Sequence, residues 1–98
     1  MGKVILIIIA TINPAEKEAL DIYLKGMNTL YAEVGAKPVA RYGVSKVLMG
    51  EKQPNLVSIM EFPDEAALDQ VFKSEAYKAL LPHRAKAFTN LEAFVGEN

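Results

Sequence analysis

From Val4 to Ile12 the chain reads Val-Ile-Leu-Ile-Ile-Ile-Ala-Thr-Ile, almost wholly apolar and mostly β-branched. Such a run has no helical spacing, and Asn13-Pro14 ends it abruptly. It therefore reads as a strand with apolar side chains on both faces, which belongs in the middle of a sheet covered from both sides. Two other readings fail. Lys3 before an apolar run resembles the start of a secretory signal, but no small-x-small cleavage site follows. The stretch is also about half the ~20 residues that a membrane-spanning helix needs. Leu6 stands where myristoylation at Gly2 would favour Ser or Thr.

The turn signals that follow divide the chain into alternating elements. Asn13 is placed to cap a helix, with Pro14 at its first position and Glu16 as a capping-box carboxylate. Leu20, Tyr23, Leu24, Met27, Leu30, Tyr31 and Val34 recur at three- and four-residue steps, while Lys17, Asp21, Lys25 and Asn28 take the other side. This predicts an amphipathic helix of about five turns. Gly35 suits a left-handed cap, and Pro38 blocks continuation. Residues 39–48 then read as an edge strand with polar insertions, and Gly43 marks a bulge or a close backbone approach. Gly50 to Asn55 is a turn cluster, and Leu56 to Phe62 forms a third strand, nearly all apolar, in a hairpin with the second. A short helix begins at Pro63-Asp64 and carries Leu68, Val71 and Phe72. Ser74 recaps a second piece with Tyr77, Leu80 and Leu81, which Pro82 should kink or end. Phe88 to Val95 closes the chain as a fourth strand, ended by Gly96.

Strand, helix, strand, strand, helix, strand is the split βαβ order of an α+β, ferredoxin-like domain with a four-stranded antiparallel sheet, and residues 1–98 form one such domain. In that topology the first and third strands are central, as their composition asks. The second and fourth, with Arg41, Lys46, Asn90 and Glu92, are the edges. Helices cover only one face of such a sheet, so the other apolar face calls for a second copy of the chain, a homodimer.

With eleven basic and twelve acidic residues the net charge is -1, so bulk charge draws the chain neither to nucleic acid nor to an anionic membrane. The third strand also lacks the basic and aromatic pattern of an RNA-recognition strand. The expected partners are a second copy and a small-molecule ligand. The absence of cysteine removes disulfides and thiolate chemistry and suits the cytoplasm. There is no Gly-rich phosphate loop, no second His and no carboxylate pair at ligand spacing, so neither a cofactor nor a metal is expected.

Several phrases of the chain resemble the family called domain of unknown function 1330, within the dimeric α+β barrel superfamily that also holds small monooxygenases and isomerases. They are Val39-Ala-Arg-Tyr-Gly43, Met49-Gly-Glu51, Leu56-Val-Ser-Ile-Met-Glu-Phe-Pro63, Ser74-Glu-Ala-Tyr77, and Arg84 followed by the last strand. Glu-Phe-Pro followed by a Ser-x-x-Tyr helix start is the most specific. The resemblance implies the ferredoxin-like barrel fold and makes Arg41, Glu61 and Arg84 pocket candidates. This chain departs by having Tyr42 between Arg41 and Gly43, and Pro82-His83 before Arg84.

The candidate chemistry rests on few side chains. Glu61, between Met60 and Phe62, would be desolvated unless paired, and desolvation lifts a carboxyl toward general-base range. At a strand end beside Pro63 it can equally reach water or pair with Arg41 or Arg84. His83, the only histidine, is the one side chain that ordinarily titrates near neutrality; beside Pro82 it also fits a surface or capping role. Arg41 can hold a carboxylate or enolate through its fork, or merely blunt an edge strand. Tyr42 and Tyr77 can wall an aromatic pocket, as can Tyr23 and Tyr31, whose helical spacing suits core packing as well. Asn13 ends a central strand, where it caps the helix and can also face a pocket.

Two functions follow. One is a cofactor-independent monooxygenase or isomerase for a small aromatic or enolisable molecule, with Glu61 or His83 moving a proton and Arg41 steadying charge. The other is a non-catalytic dimeric binding or interaction module. A pocket of several hundred Å³ on which Arg41, Glu61 and His83 converge favours the first. Side chains that point apart remove it.

Overall fold

The computed structural model describes residues 3–97; Gly2, and with it the myristoylation argument, lies outside them. β1 (Val4–Ile12) runs antiparallel between β3 (Leu56–Phe62) and β4 (Phe88–Glu97), and β2 (Lys37–Gly43) borders β3. The order across the sheet is β2-β3-β1-β4, so the two most apolar strands are the central ones. Register follows the pleat: Leu6 stands opposite Met60 and Val95, and Ile7 opposite Ile59 and Phe94. Val4, Leu6 and Ala10 are buried toward the helices, whereas Ile5, Ile7 and Ile9 on the opposite face stay only half-buried.

Three helices cover the first face. α1 (Lys17–Glu33) buries Tyr23, Met27, Leu30 and Tyr31. Its start differs from the expected cap: the Asn13 side chain accepts from the Ala15 amide at 3.1 Å, closing a turn ahead of the helix, and Glu16 stands at the cap position without a side-chain bond. Asn13 is held there because its own amide donates to the Ala87 carbonyl at 2.8 Å, which ties it to the end of the last helix. The other end of α1 forms as expected. Gly35 takes φ of 76°, so its amide reaches Ala32 and the Ala36 amide reaches the Tyr31 carbonyl, satisfying the final turn.

α2 (Glu65–Phe72) and α3 (Glu75–Ala87) each begin on a working cap. Asp64 accepts from the Ala67 amide at 2.8 Å and Ser74 from the Tyr77 amide at 3.0 Å. Pro82 does not end α3; the helix runs on to Ala87. The bond that its missing amide forfeits belongs to the carbonyl of Lys78, an exposed residue with water at hand. α3 packs along α1 at Gly26, where a Cβ would stand 2.7 Å from the Leu80 methyls. Phe62 and Val71 are wholly buried at the centre of this layer, and Tyr31 meets Phe62 edge-on.

Three strand details depart from the sequence reading. β2 ends at Gly43, which pairs with Leu56, the first residue of β3; one further bond, from the Val44 amide to the Asn55 carbonyl, closes the ladder, and the chain then leaves the sheet. Lys46 thus lies in a loop, 44–55, pinned where Asn55 donates to Ala10 O and accepts from the Ile12 amide. The bulge falls between Pro38 and Ala40 rather than at Gly43, at the proline that cannot donate to the ladder. Gly96 does not end β4; it pairs with Ile5, and the strand reaches Glu97. Among the described residues no helix is long and apolar enough to cross a membrane.

A cavity between the helices and the sheet

The helices do not fill the space above the sheet. A cavity of about 570 Å³ lies between α1, α3 and the helix-facing side of all four strands. Its existence follows from side-chain size. Ala10, Ser58 and Ala93, on β1, β3 and β4, line its floor, where a larger residue would fill the room. Ile8, Leu56, Met60 and Leu91 complete that floor, and Tyr23, Met27, Tyr31, Tyr77 and Arg84 project from the helices above. Exposed Asn28, Pro38, Arg41, Ala85 and Thr89 form its rim.

The aromatic walls hold one another in place. Tyr23 packs edge-on against Phe88 at 5.5 Å between ring centres, and Phe72 against Tyr77 at 5.0 Å. Arg84 donates from Nη1 to the Tyr77 hydroxyl at 2.6 Å, and its guanidinium carbon lies 5.9 Å from the centre of the same ring. Because the Tyr77 oxygen accepts from Arg84, the Tyr77 proton is free to point elsewhere. Burial pushes the Tyr23 phenol up to about 12, with the Tyr77 phenol adding to the rise and Arg84 opposing it. Burial likewise raises Tyr31. At neutral pH these phenols are donors, not bases.

Of the seven residues singled out from the sequence, the structure brings three together on this cavity: Arg41, Tyr77 and Arg84. Arg41 arrives there through the β2 bulge, which sets it opposite Ser58 on the helix-facing side. The other four stand elsewhere. Glu61 pairs across the strands with Ile5 and Lys37 on the uncovered face, where Lys3 Nζ lies 3.5 Å from its carboxylate. Tyr42 is opposite Val57 on that same face and is largely exposed. His83 lies within α3, half-buried but off the cavity, rather than at a helix break. Asn13 is spent on its turn. Arg41, Glu61 and His83 therefore do not converge.

Tyr23 and Tyr31 belong to the site as much as to the core, and Ser58 and Asn28 join it without having been singled out. The signal for the tyrosines was their shared helix face; the signal for the opening was the small residues Ala10, Ser58 and Ala93 on the strands beneath. Among the described residues no group of His, Cys, Asp or Glu is arranged to hold a metal ion.

A shallower hollow lies on the uncovered face, where the loop 44–55 arches over Ile9 and Glu92. Lys52 closes it by donating to Glu92 at 2.7 Å, a bond that holds the Glu92 carboxyl below its ordinary range.

The fold is shared widely. A protein of unknown function from Rhodopseudomonas palustris superposes with a TM-score of 0.86 at 19% identity, over 99% of this chain and 82% of that one. A dimeric ferredoxin-like protein from Thermobifida fusca superposes with 0.61 at 9% identity, over 99% and 92%. SnoaB, a cofactor-independent oxygenase from Streptomyces nogalater, gives 0.69 at 12% identity, over 100% and 94%. At such identities the likeness concerns the fold. Among curated proteins no sequence matches. Residues 6–96 match the model of the domain of unknown function DUF1330, and the chain belongs to that family.

Proposed function

We propose that the chain is a homodimeric small-molecule-binding protein whose ligand occupies the cavity between α1, α3 and the sheet. The cavity itself carries the reading. Its volume of about 570 Å³ falls within the ordinary range for small-molecule sites, and its lining is mainly apolar and aromatic with a few convergent polar groups.

The dimer rests on the opposite face. Ile5, Ile7, Ile9, Val57, Ile59 and Phe94 lie there with no helix above them, and Phe94 is 51% exposed. A second sheet laid on the first covers both at once, and the Thermobifida fusca protein is described as dimeric. Binding is favoured over proton-transfer catalysis by the cavity's composition. No Asp, Glu or His is among its lining residues, and the Tyr23 phenol stays protonated. Likeness to SnoaB supports an oxygenase only through the fold.

Thermal unfolding against a panel of small aromatic compounds tests the reading. A bound compound at a hundred times its Kd adds about 2.7 kcal/mol of stability, a rise of roughly 10 °C or more in a domain of this size. Ser58→Phe, which fills the floor, should abolish that rise while the variant still unfolds cooperatively. An unaltered rise in Ser58→Phe contradicts the site.

A further inference from the structure

We infer that the ligand is an anion, a small aromatic or apolar carboxylate whose charged end is held by Arg84 at the α3 wall. This inference rests on the cavity being a binding site and goes on to name its chemistry.

The charge balance of the lining carries it. Although the chain as a whole bears a net charge of -1, the cavity is lined by two arginines and by no carboxylate. Among the described residues every ion pair uses a lysine, and neither Arg41 nor Arg84 has an acidic partner. Arg84 is half-buried, and its described side-chain bond goes to a neutral phenol. A half-buried cation without a counter-ion is costly, and an anion arriving from solution relieves that cost. The guanidinium fork retains donors for two carboxylate oxygens after one N–H is given to Tyr77. The Tyr77 proton, not needed by Arg84, supplies a further donor beside it.

Arg84 is better placed for this than Arg41. Arg41 is exposed on an edge strand at the rim, whereas Arg84 is fixed by Tyr77, whose ring packs on Phe72 and whose amide is anchored by the Ser74 cap. A donor already oriented loses less freedom when the ligand arrives. Beyond it, Tyr23, Phe88 and Met27 offer an apolar wall for the rest of the molecule.

The test pairs charged and neutral ligands of one shape. Benzoate, cinnamate and 2-naphthoate, each beside its carboxamide, are titrated calorimetrically into the wild-type protein and into Arg84→Met, which keeps an unbranched apolar stem and removes the guanidinium. At least one carboxylate should bind about tenfold or more tightly than its amide, the margin expected of a charge-assisted pair. Arg84→Met should erase that margin and leave the amide unchanged. Equal binding of acid and amide overturns the inference but leaves the cavity standing as a site. A margin that survives Arg84→Met overturns the role of Arg84. No binding of any compound at millimolar concentration removes both the inference and the reading beneath it. The wild-type comparison decides the charge question even if the variant fails to fold.

Discussion

Tyr23 sits in the wall that separates core from cavity, and its ionisation links the site to stability. Its folded-state value of about 12 lies above the ordinary 10 of a tyrosine. Between these values the unfolded chain loses the proton while the folded chain keeps it, so folding stability is intact below pH 10 and falls as pH rises toward 12. Tyr31 contributes in the same direction. Replacing Tyr23 with Phe should flatten the alkaline limb of a stability–pH curve measured by urea unfolding between pH 10 and 12. A limb of unchanged slope would show that the phenol ionises freely in the folded state. At this scale the sequence was only partly readable. Arg41, Tyr77 and Arg84 were singled out and meet on the cavity, but Glu61 and His83 do not join them. Which face a residue takes depends on one-residue shifts of register, and the bulge at Pro38–Ala40 that turns Arg41 inward has no signature beyond the proline itself.

Among the elements, α3 carries most of the site, and its position depends on two local features. Ser74 accepts from the Tyr77 amide, so Ser74→Ala should cost about 1 kcal/mol of stability and also loosen Tyr77 and, through it, Arg84. Chemical unfolding measures the first effect, and weaker binding of a cavity ligand the second. Gly26 lets α1 and α3 approach. A methyl there meets the Leu80 side chain at 2.7 Å, so Gly26→Ala should cost about 1 kcal/mol net, crowding outweighing the gain in helix propensity. In a Leu80→Ala background the same change should instead stabilise by about 1 kcal/mol, and a double-mutant cycle reads the coupling. Element bounds were most legible where composition was most extreme. β1 and β3 fall on the residues that their apolar runs delimit, and Asp64 and Ser74 cap where expected. Misjudged ends depend on surroundings the boundary residue does not reveal. The halt of β2 at Gly43 and the extension of β4 past Gly96 are each decided by the strand opposite, and the passage of α3 through Pro82 by the exposure of Lys78 one turn earlier, not by the residue at the boundary.

For the molecule as a whole, the two faces of β1 divide the labour. Val4, Leu6, Ile8 and Ala10 face the helices and the cavity, while Ile5, Ile7 and Ile9 face outward, where the proposed second copy would cover them. The topology and the half-buried apolar second face were readable from one strand, because an apolar residue has a cost wherever water reaches it. The cavity was not, since a void is a deficit of volume summed over strands far apart in sequence. Ile7→Asp, opposite Ile59 and Phe94, should turn a dimer into a folded monomer by light scattering at micromolar concentration. A wild-type protein already monomeric there would remove the dimer. The claim that the cavity is where ligand binds is tested most directly by backbone amide NMR shifts on titrating a bound aromatic compound. Shifts should cluster at Asn28, Ser58, Tyr77 and Arg84, with Ile9 and Glu92 beneath the loop 44–55 unmoved; shifts centred on Ile9 and Glu92 would place the ligand on the other face and overturn the cavity as the site.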